Sequence, residues 1–118
     1  EGKINVTNSG LDKAPLVIEI YGDVIDPEFH VKRNGEIIST LRLYLESTSA
    51  KITINSIPSQ QFITLTENEI EIDIYGSQDF EMDNFIFLNH GDYELEFKPG
   101  VSTESVCRVT VLEGYIGI

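Results

Sequence analysis

The chain is predicted to be an all-β protein, an antiparallel β-sandwich of jelly-roll type, on the strength of three observations. First, acids alternate with mostly large apolar residues in Glu67–Ile74 and Asp92–Phe97. A strand sends successive side chains to opposite faces, so both segments are typical of half-buried strands with a solvated, carboxylate-covered outer face. Second, about ten short segments of this kind are separated by turn residues. Third, no apolar period of 3.6 residues extends beyond about two helical turns.

The N-terminal region supplies the first two candidate strands. Lys3–Thr7 is closed by the turn-forming Asn8-Ser9-Gly10. Leu16–Tyr21 is a nearly continuous apolar run with one acid, the pattern of a strand buried on both faces. Asp26-Pro27 is the next turn signal.

A hairpin over residues 29–38 is the strongest local prediction. Phe29–Arg33 and Glu36–Ile38 flank Asn34-Gly35. Asn-Gly favours a type I′ turn because both central residues need a positive φ.

Later segments of the chain alternate in the same way. The further candidate strands are Leu41–Glu46, Lys51–Ile54, Phe62–Leu65, Glu69–Tyr75, Asp92–Lys98 and Ser105–Leu112. The third and fourth of these are expected to pair across Thr66-Glu67-Asn68, and Pro99–Thr103 separates the last two. Ser77–Phe87 stays open between a loop, a helical turn and a bulged strand, and the tail Gly114–Ile118 is a candidate edge strand.

Length and composition indicate one globular domain spanning 1–118. The chain has 118 residues, of which 41% are hydrophobic and 24% charged, within the ordinary range for such domains. Because it begins with Glu1-Gly2 rather than Met, we expect it to be a piece of a longer protein. The single cysteine, Cys107, excludes an internal disulfide and argues against a disulfide-stapled extracellular scaffold.

The net charge argues against two classes of partner. Eight Lys and Arg stand against twenty Asp and Glu, giving −12. Such a surface repels a phosphate backbone and an anionic membrane, so we expect neither nucleic acid nor membrane as a partner. No apolar run approaches the ~20 residues that span a bilayer, and no signal-peptide core precedes the domain.

Few residues have the chemistry for catalysis, and no catalytic, cofactor-binding or metal-binding residue is assigned. His30 lies in a strand and His90 in a turn, and neither has a Cys or His at zinc-ligand spacing. Cys107 shares its strand face with Val109 and Val111, so it is expected to be a small buried hydrophobe rather than a nucleophile.

The acids raise two further possibilities. A paired-carboxylate glycosidase needs two carboxyls in one cleft with separated pKa values, whereas acids on strand faces are expected to be solvated. Asp79, Glu81 and Asp83 resemble the start of a calcium loop, but Asn84 and His90 stand where an EF-hand needs Gly and an acid. Weak calcium binding by sheet-end loops, which also hold Asp23 and Asp26, stays open.

Two smaller features complete the inventory of sites. Asn5-Val6-Thr7 matches a glycosylation acceptor, a pattern too short to assign a function. The Tyr and Phe residues fall mostly on strand positions and are expected in the core. The chain has no Trp, which counts against a strong sugar-stacking platform.

The order of turns and strands resembles that of one phage protein family. Asn8-Ser9-Gly10, Pro15, Ile18–Gly22 and Asp26-Pro27 are similar to the opening of the C-terminal domain of distal tail proteins, the baseplate hub family of siphophages and related prophages. Leu88–Tyr93 resembles a later turn of that family, with His90-Gly91 where Pro-Gly is common.

The resemblance implies a role as well as a fold. It implies a galectin-like β-sandwich attached to a ring-forming N-terminal domain that is not in these residues, so any ring would form through that other domain. It further implies a non-enzymatic module at the virion tail tip, assembled in the bacterial host cytoplasm. Its partners would be other tail and baseplate proteins, with host-surface saccharide as a further contact.

Three alternatives accompany this interpretation. The second hypothesis is a carbohydrate-binding module that recognises host-surface or polysaccharide glycans. The third is an enzyme, and the fourth is an adhesive or surface sandwich unrelated to phages. The sequence does not identify the residues that bind, the partner, or the oligomeric state.

Overall fold

Ten strands, joined by hairpins and short crossovers, make up most of the described chain. The computed structural model describes residues 2–101 and 105–113. The elements are β1 (Gly2–Asn8), β2 (Ala14–Ile25), β3 (Glu28–Arg33), β4 (Glu36–Arg42), β5 (Glu46–Asn55), β6 (Phe62–Glu67), β7 (Ile70–Asp73), a 3₁₀ turn (Tyr75–Ser77), β8 (Phe87–Leu88), β9 (Gly91–Lys98) and β10 (Ser105–Val111). The predicted tail strand 114–118 and residues 102–103 of the predicted turn lie outside the described residues.

Two antiparallel sheets pack into a sandwich, which confirms the all-β prediction. The first sheet has the order β1-β9-β3-β4 and the second β10-β2-β5-β6-β7, with β8 paired to the start of β2. β1 of the first sheet lies beside β10 of the second, so the two sheets are aligned at that side. The main path of the second sheet has one more strand than the first sheet and therefore extends one strand further at the opposite side. The strand left without a counterpart is β7.

The core is formed by the inward-facing residues of both sheets. It consists of Leu16, Ile18, Ile20, Val24, Phe29, Val31, Leu41, Leu43, Ile52, Ile54, Ile63, Ile86, Leu88, Tyr93, Leu95 and Phe97. Burying a side chain of this size contributes roughly 1.5–3 kcal/mol, so these layers supply most of the driving force for folding.

The hairpin predicted over residues 29–38 is confirmed. β3 pairs with β4 around Asn34 and Gly35, whose φ angles are 53° and 81°. Val31 pairs with Ser39 and Lys32 with Ile37, so the ladder contains one extra residue as a β-bulge.

Two predictions about single strands are wrong. Leu41–Glu46 is not one strand, because β4 ends at Arg42 and β5 begins at Glu46 in the other sheet. The alternation continues through the crossover because both flanking strands face the same core. Leu16–Tyr21 is buried on one face only: Leu16, Ile18 and Ile20 are in the core, whereas the other face is half-buried.

The segment Glu67–Ile74 also differs from expectation. It is not one continuous strand, because its turn is Asn68-Glu69, with φ values of 51° and 65°, rather than the predicted Thr66-Glu67-Asn68. The predicted pairing of Phe62–Leu65 with the strand after the turn is confirmed as the β6–β7 hairpin. All four residues of β7 are exposed, so the prediction of a half-buried strand is wrong there.

Residues 78–86 form a loop that leads into β8. Buried Asn84 organises it: its Oδ1 accepts a hydrogen bond from the backbone N–H of Arg42, and its Nδ2 donates to Gln78 Oε1 and to the Asp79 carbonyl. Gln78 also bridges to Leu43. The loop thereby closes the side of the sandwich between β4 and the β6–β7 hairpin.

Within the described residues, none of the helical structure is long and apolar enough to cross a membrane.

Candidate functional site

The two histidines and the cysteine lie on different elements and have structural partners. His30 Nε2 is 2.9 Å from Glu28 Oε1 on the outer face of the first sheet, and His90 Nδ1 is 3.0 Å from the Gly10 carbonyl oxygen in a turn. Cys107 packs against the core from β10, and burial raises the pKa of its thiol to about 12. A thiol with that pKa is protonated at neutral pH and is a poor nucleophile.

The carboxylate of Asp79 stabilises the loop that holds Asp79, Glu81 and Asp83. Asp79 is buried, accepts a hydrogen bond from the Tyr44 hydroxyl at 2.9 Å and another from the Glu81 backbone N–H at 3.0 Å. Asp23 likewise accepts from the Ser49 backbone N–H. In the part of the chain that the structure describes, no three His, Cys, Asp or Glu side chains gather in a geometry that could hold a metal ion.

The outer face of the first sheet carries paired charges rather than a uniform layer of solvated acids. Glu96, on the central strand β9, is buried and its Oε1 lies 2.8 Å from Lys32 Nζ; this ion pair lowers the pKa of Glu96. Glu28 pairs with both His30 and Arg42, and the hydrogen bond with His30 is the main cause of its lowered pKa. The prediction that the alternating acids are all solvated is therefore wrong for Glu96.

A shallow polar depression lies at the hairpin end of this same face. Its volume is about 560 Å³. Its side-chain donors and acceptors come from Asn5, Thr7, Lys32, Asn34, Asp92 and Glu94. Thr7 Oγ1 donates to Asp92 Oδ1 at 2.6 Å, which fixes one wall. The arrangement can offer hydrogen bonds to a polar ligand, but it lacks an exposed aromatic ring for stacking.

The core-facing side of β7 forms an apolar ledge on the opposite side of the molecule. Ile72 pairs with Leu65, which packs on the core, and Ile70 pairs with Glu67, so both isoleucines point toward the level of the first sheet. No strand of the first sheet faces them, and they are 48% and 64% exposed. We call Ile70 and Ile72 the β7 ledge.

The chain continues from β7 into a group of exposed aromatic rings. Tyr75 and Phe80 meet edge to face with centroids 5.9 Å apart, and Tyr75 stacks on the partly buried Phe85 at 6.1 Å. Tyr44 reaches the same loop through its hydroxyl bond to Asp79 and its backbone N–H bond to Ser77. We call Tyr44, Tyr75 and Phe80 the aromatic corner. They are 52%, 48% and 66% exposed, so the prediction that the aromatics are mostly in the core is wrong here.

The sequence contained only a weak signal for these residues. Phe80 stands between Asp79 and Glu81 in a segment without strand or helix periodicity, an unusual place for a large apolar ring. Nothing local distinguished Ile70 and Ile72 from core residues, because their exposure depends on the relative widths of the two sheets.

Comparison of the chain with protein-family models, with curated proteins and with solved structures finds no match.

Proposed function

We propose that this chain is a non-enzymatic docking module of a phage or prophage tail tip, of the distal tail protein kind, that binds other tail or baseplate proteins. The single observation that supports docking best is the β7 ledge together with the aromatic corner. These two groups expose five large apolar side chains: four lie within residues 70–80, and the fifth, Tyr44, is hydrogen-bonded to the same loop. The placement at a tail tip rests on the sequence resemblance given above.

The exposed apolar side chains of the β7 ledge and the aromatic corner indicate a surface that binds a partner. Scattered exposed hydrophobic residues are common, but a grouped set rimmed by polar residues is typical of an interaction site. Aromatic residues are also enriched in the buried centres of interfaces. The aromatic corner is held in place by Asp79 and by ring contacts, so it can bind without much ordering.

The non-enzymatic part of the proposal is supported by how the reactive side chains are used. Glu28 is bonded to both His30 and Arg42, and Cys107 is a protonated thiol packed on the core. An activated nucleophile needs an adjacent base and an opening toward substrate, and these groups are instead spread over two sheets.

Immunogold electron microscopy tests the placement. An antibody raised against this chain is applied to particles released from the source bacterium after prophage induction, and the same antibody pre-adsorbed with purified chain is the control. Gold at the distal end of tails is the expected result. Gold on capsids alone, or particles that carry no gold, would contradict the proposal.

A carbohydrate-binding function is the second candidate, and the polar depression on the first sheet is the observation that favours it. Its carboxylates, amides, hydroxyl and amine match the hydrogen-bonding groups of a saccharide. A glycan array probed with millimolar calcium and then with chelator tests it. A saturable signal that Asp92→Ala removes and Glu36→Ala keeps would promote this function, whereas a blank array would remove it.

A further inference from the structure

The open edge of β7 has backbone groups with no partner strand among the described residues. Among the strands that the structure describes, β7 is the last of its sheet and pairs only with β6. Ile74 N–H donates to the Ile63 carbonyl, and partners alternate along an antiparallel ladder, so Ile72 and Ile70 also direct their backbone groups at β6. The N–H and C=O groups of Glu71 and Asp73 consequently point to the open edge.

The side chains around this edge indicate what kind of strand would fit. On the core-facing side no described strand covers the β7 ledge, because the first sheet ends one strand short. On the other side Glu71 and Asp73 pair with Thr66 and Thr64, so their carboxylates lie on the outer face. An added strand would therefore meet isoleucines on one face and carboxylates on the other.

We propose that β7 is the acceptor edge for an extended segment of a partner protein in which apolar residues alternate with Lys or Arg. The segment adds a further strand beside β7, covers Ile70 and Ile72 with its apolar residues, and places its cations opposite Glu71 and Asp73. Main-chain hydrogen bonds supply affinity and the alternating side chains supply specificity, as in other cases of strand addition. This deepens the docking function proposed above and rests on it.

Charge disfavours the simplest competing occupant, a second copy of the chain. Two β7 strands paired antiparallel would bring Glu71 and Asp73 close to the same acids of the other copy, and like charges opposite each other destabilise a sheet. The net charge of −12 adds repulsion over the whole surface. With a basic partner, both the interaction at Glu71 and Asp73 and the interaction with the net charge of the chain become attractive.

The probe is a short peptide of alternating valine and lysine with blocked ends, and the control peptide alternates valine and glutamate. Amide hydrogen exchange by NMR is followed on the whole chain. We expect the lysine peptide to slow exchange at the Glu71 and Asp73 amides, leave the Ile72 amide unchanged, and bind more weakly as salt rises. The glutamate peptide should not bind.

Two variants separate the backbone contribution from the charge. Glu71→Pro deletes an N–H that faces the open edge and leaves the β6–β7 bonds in place, a position where a strand tolerates proline. It should weaken binding at least about tenfold, whereas Glu71→Ala, which keeps the N–H, should weaken it by about two- to threefold. If Glu71→Pro folds poorly, amide hydrogen exchange on the unmodified chain with the two peptides still tests the proposal.

Three results would overturn the inference. They are unchanged exchange at Glu71 and Asp73, equal binding by Glu71→Pro and the unmodified chain, and a dimer by sedimentation that pairs through β7. Any of these together with gold-labelled tail tips would leave the docking function standing and remove only the edge assignment.

Discussion

At the scale of single residues, the positions that matter most are those where a side chain or its absence fixes the path of the backbone. Gly100 has a φ of +81°, and a Cβ there would lie 1.9 Å from the Ile25 carbonyl oxygen. Gly35 has the same φ, but nothing lies within 4 Å of the place its Cβ would take. Substitutions at these two glycines therefore separate the cost of backbone strain from the cost of steric overlap.

Gly100→Ala should destabilise the protein more than Gly35→Ala. Both substitutions force a non-glycine residue into a left-handed conformation, which costs about 1–2 kcal/mol. Only Gly100→Ala also pushes on the backbone of Ile25, so we expect its total cost to reach about 3–4 kcal/mol. Urea unfolding measures both, and equal losses would mean that the Pro99–Gly100 turn is not packed against Ile25.

The Glu28 ion pairs should make stability depend on pH in the acid range. Hydrogen bonding to His30, and then to Arg42, holds the pKa of Glu28 below 4.5, its value in the unfolded chain. A carboxylate with a lowered folded pKa adds stability above the unfolded value and loses it as pH falls through the folded value. The stability lost on Glu28→Gln should therefore be greatest near neutral pH and shrink below pH 4.5.

Urea unfolding of the two proteins from neutral to acid pH measures this difference. Glu36→Gln is the control, because Glu36 is exposed next to the hairpin turn. A difference between Glu28→Gln and the unmodified chain that is constant over the whole range would contradict the ion-pair assignment.

At the scale of elements, the overhang of β7 has a direct consequence for stability. Ile63 and Ile70 lie on the same core-facing side of neighbouring strands, but Ile63 is fully buried and Ile70 is 64% exposed. Ile63→Ala should cost about 2–5 kcal/mol, the range for buried isoleucine, whereas Ile70→Ala should cost less than about 1 kcal/mol. Thermal unfolding of the two variants compares them, and equal costs would show that something within the chain covers the ledge.

The elements also show which structural features a sequence pattern can reveal. Period-two alternation found most strands because each has one face toward the core, and Asn34-Gly35 identified its hairpin because the turn needs two positive φ angles. The same alternation missed the change of sheet between Leu43 and Glu46, since a local pattern does not record which sheet a strand joins.

The candidate site was harder to predict because it depends on the order of strands in space. Ile70 and Ile72 read as core residues, and only the unequal widths of the sheets expose them. Glu96 read as a solvated acid, and only its place on a central strand beside Lys32 buries and pairs it. Asn84 gave no signal, since its partners Arg42 and Gln78 are assembled by the fold.

At the scale of the whole molecule, the excess of acids should oppose folding more than the ion pairs support it. Four of the eight Lys and Arg residues pair with Glu19, Glu28 and Glu96. The β6–β7 hairpin, in contrast, holds four acids within seven residues: Glu67, Glu69, Glu71 and Asp73. The hairpin contains no Lys or Arg that could offset the repulsion between these acids.

Added salt should therefore raise the melting temperature. The Debye length falls to about 10 Å at 0.1 M salt, so salt screens repulsion between exposed carboxylates more than it weakens the short Lys32–Glu96 contact. Sodium chloride is the suitable salt, because sulfate would also strengthen apolar burial. Calorimetry between low and physiological salt measures the effect, and the double variant Glu69→Gln, Glu71→Gln should show a smaller rise. A melting temperature that stays flat or falls, or an equal rise in the variant, would mean that paired charges dominate and that the hairpin is not a centre of repulsion.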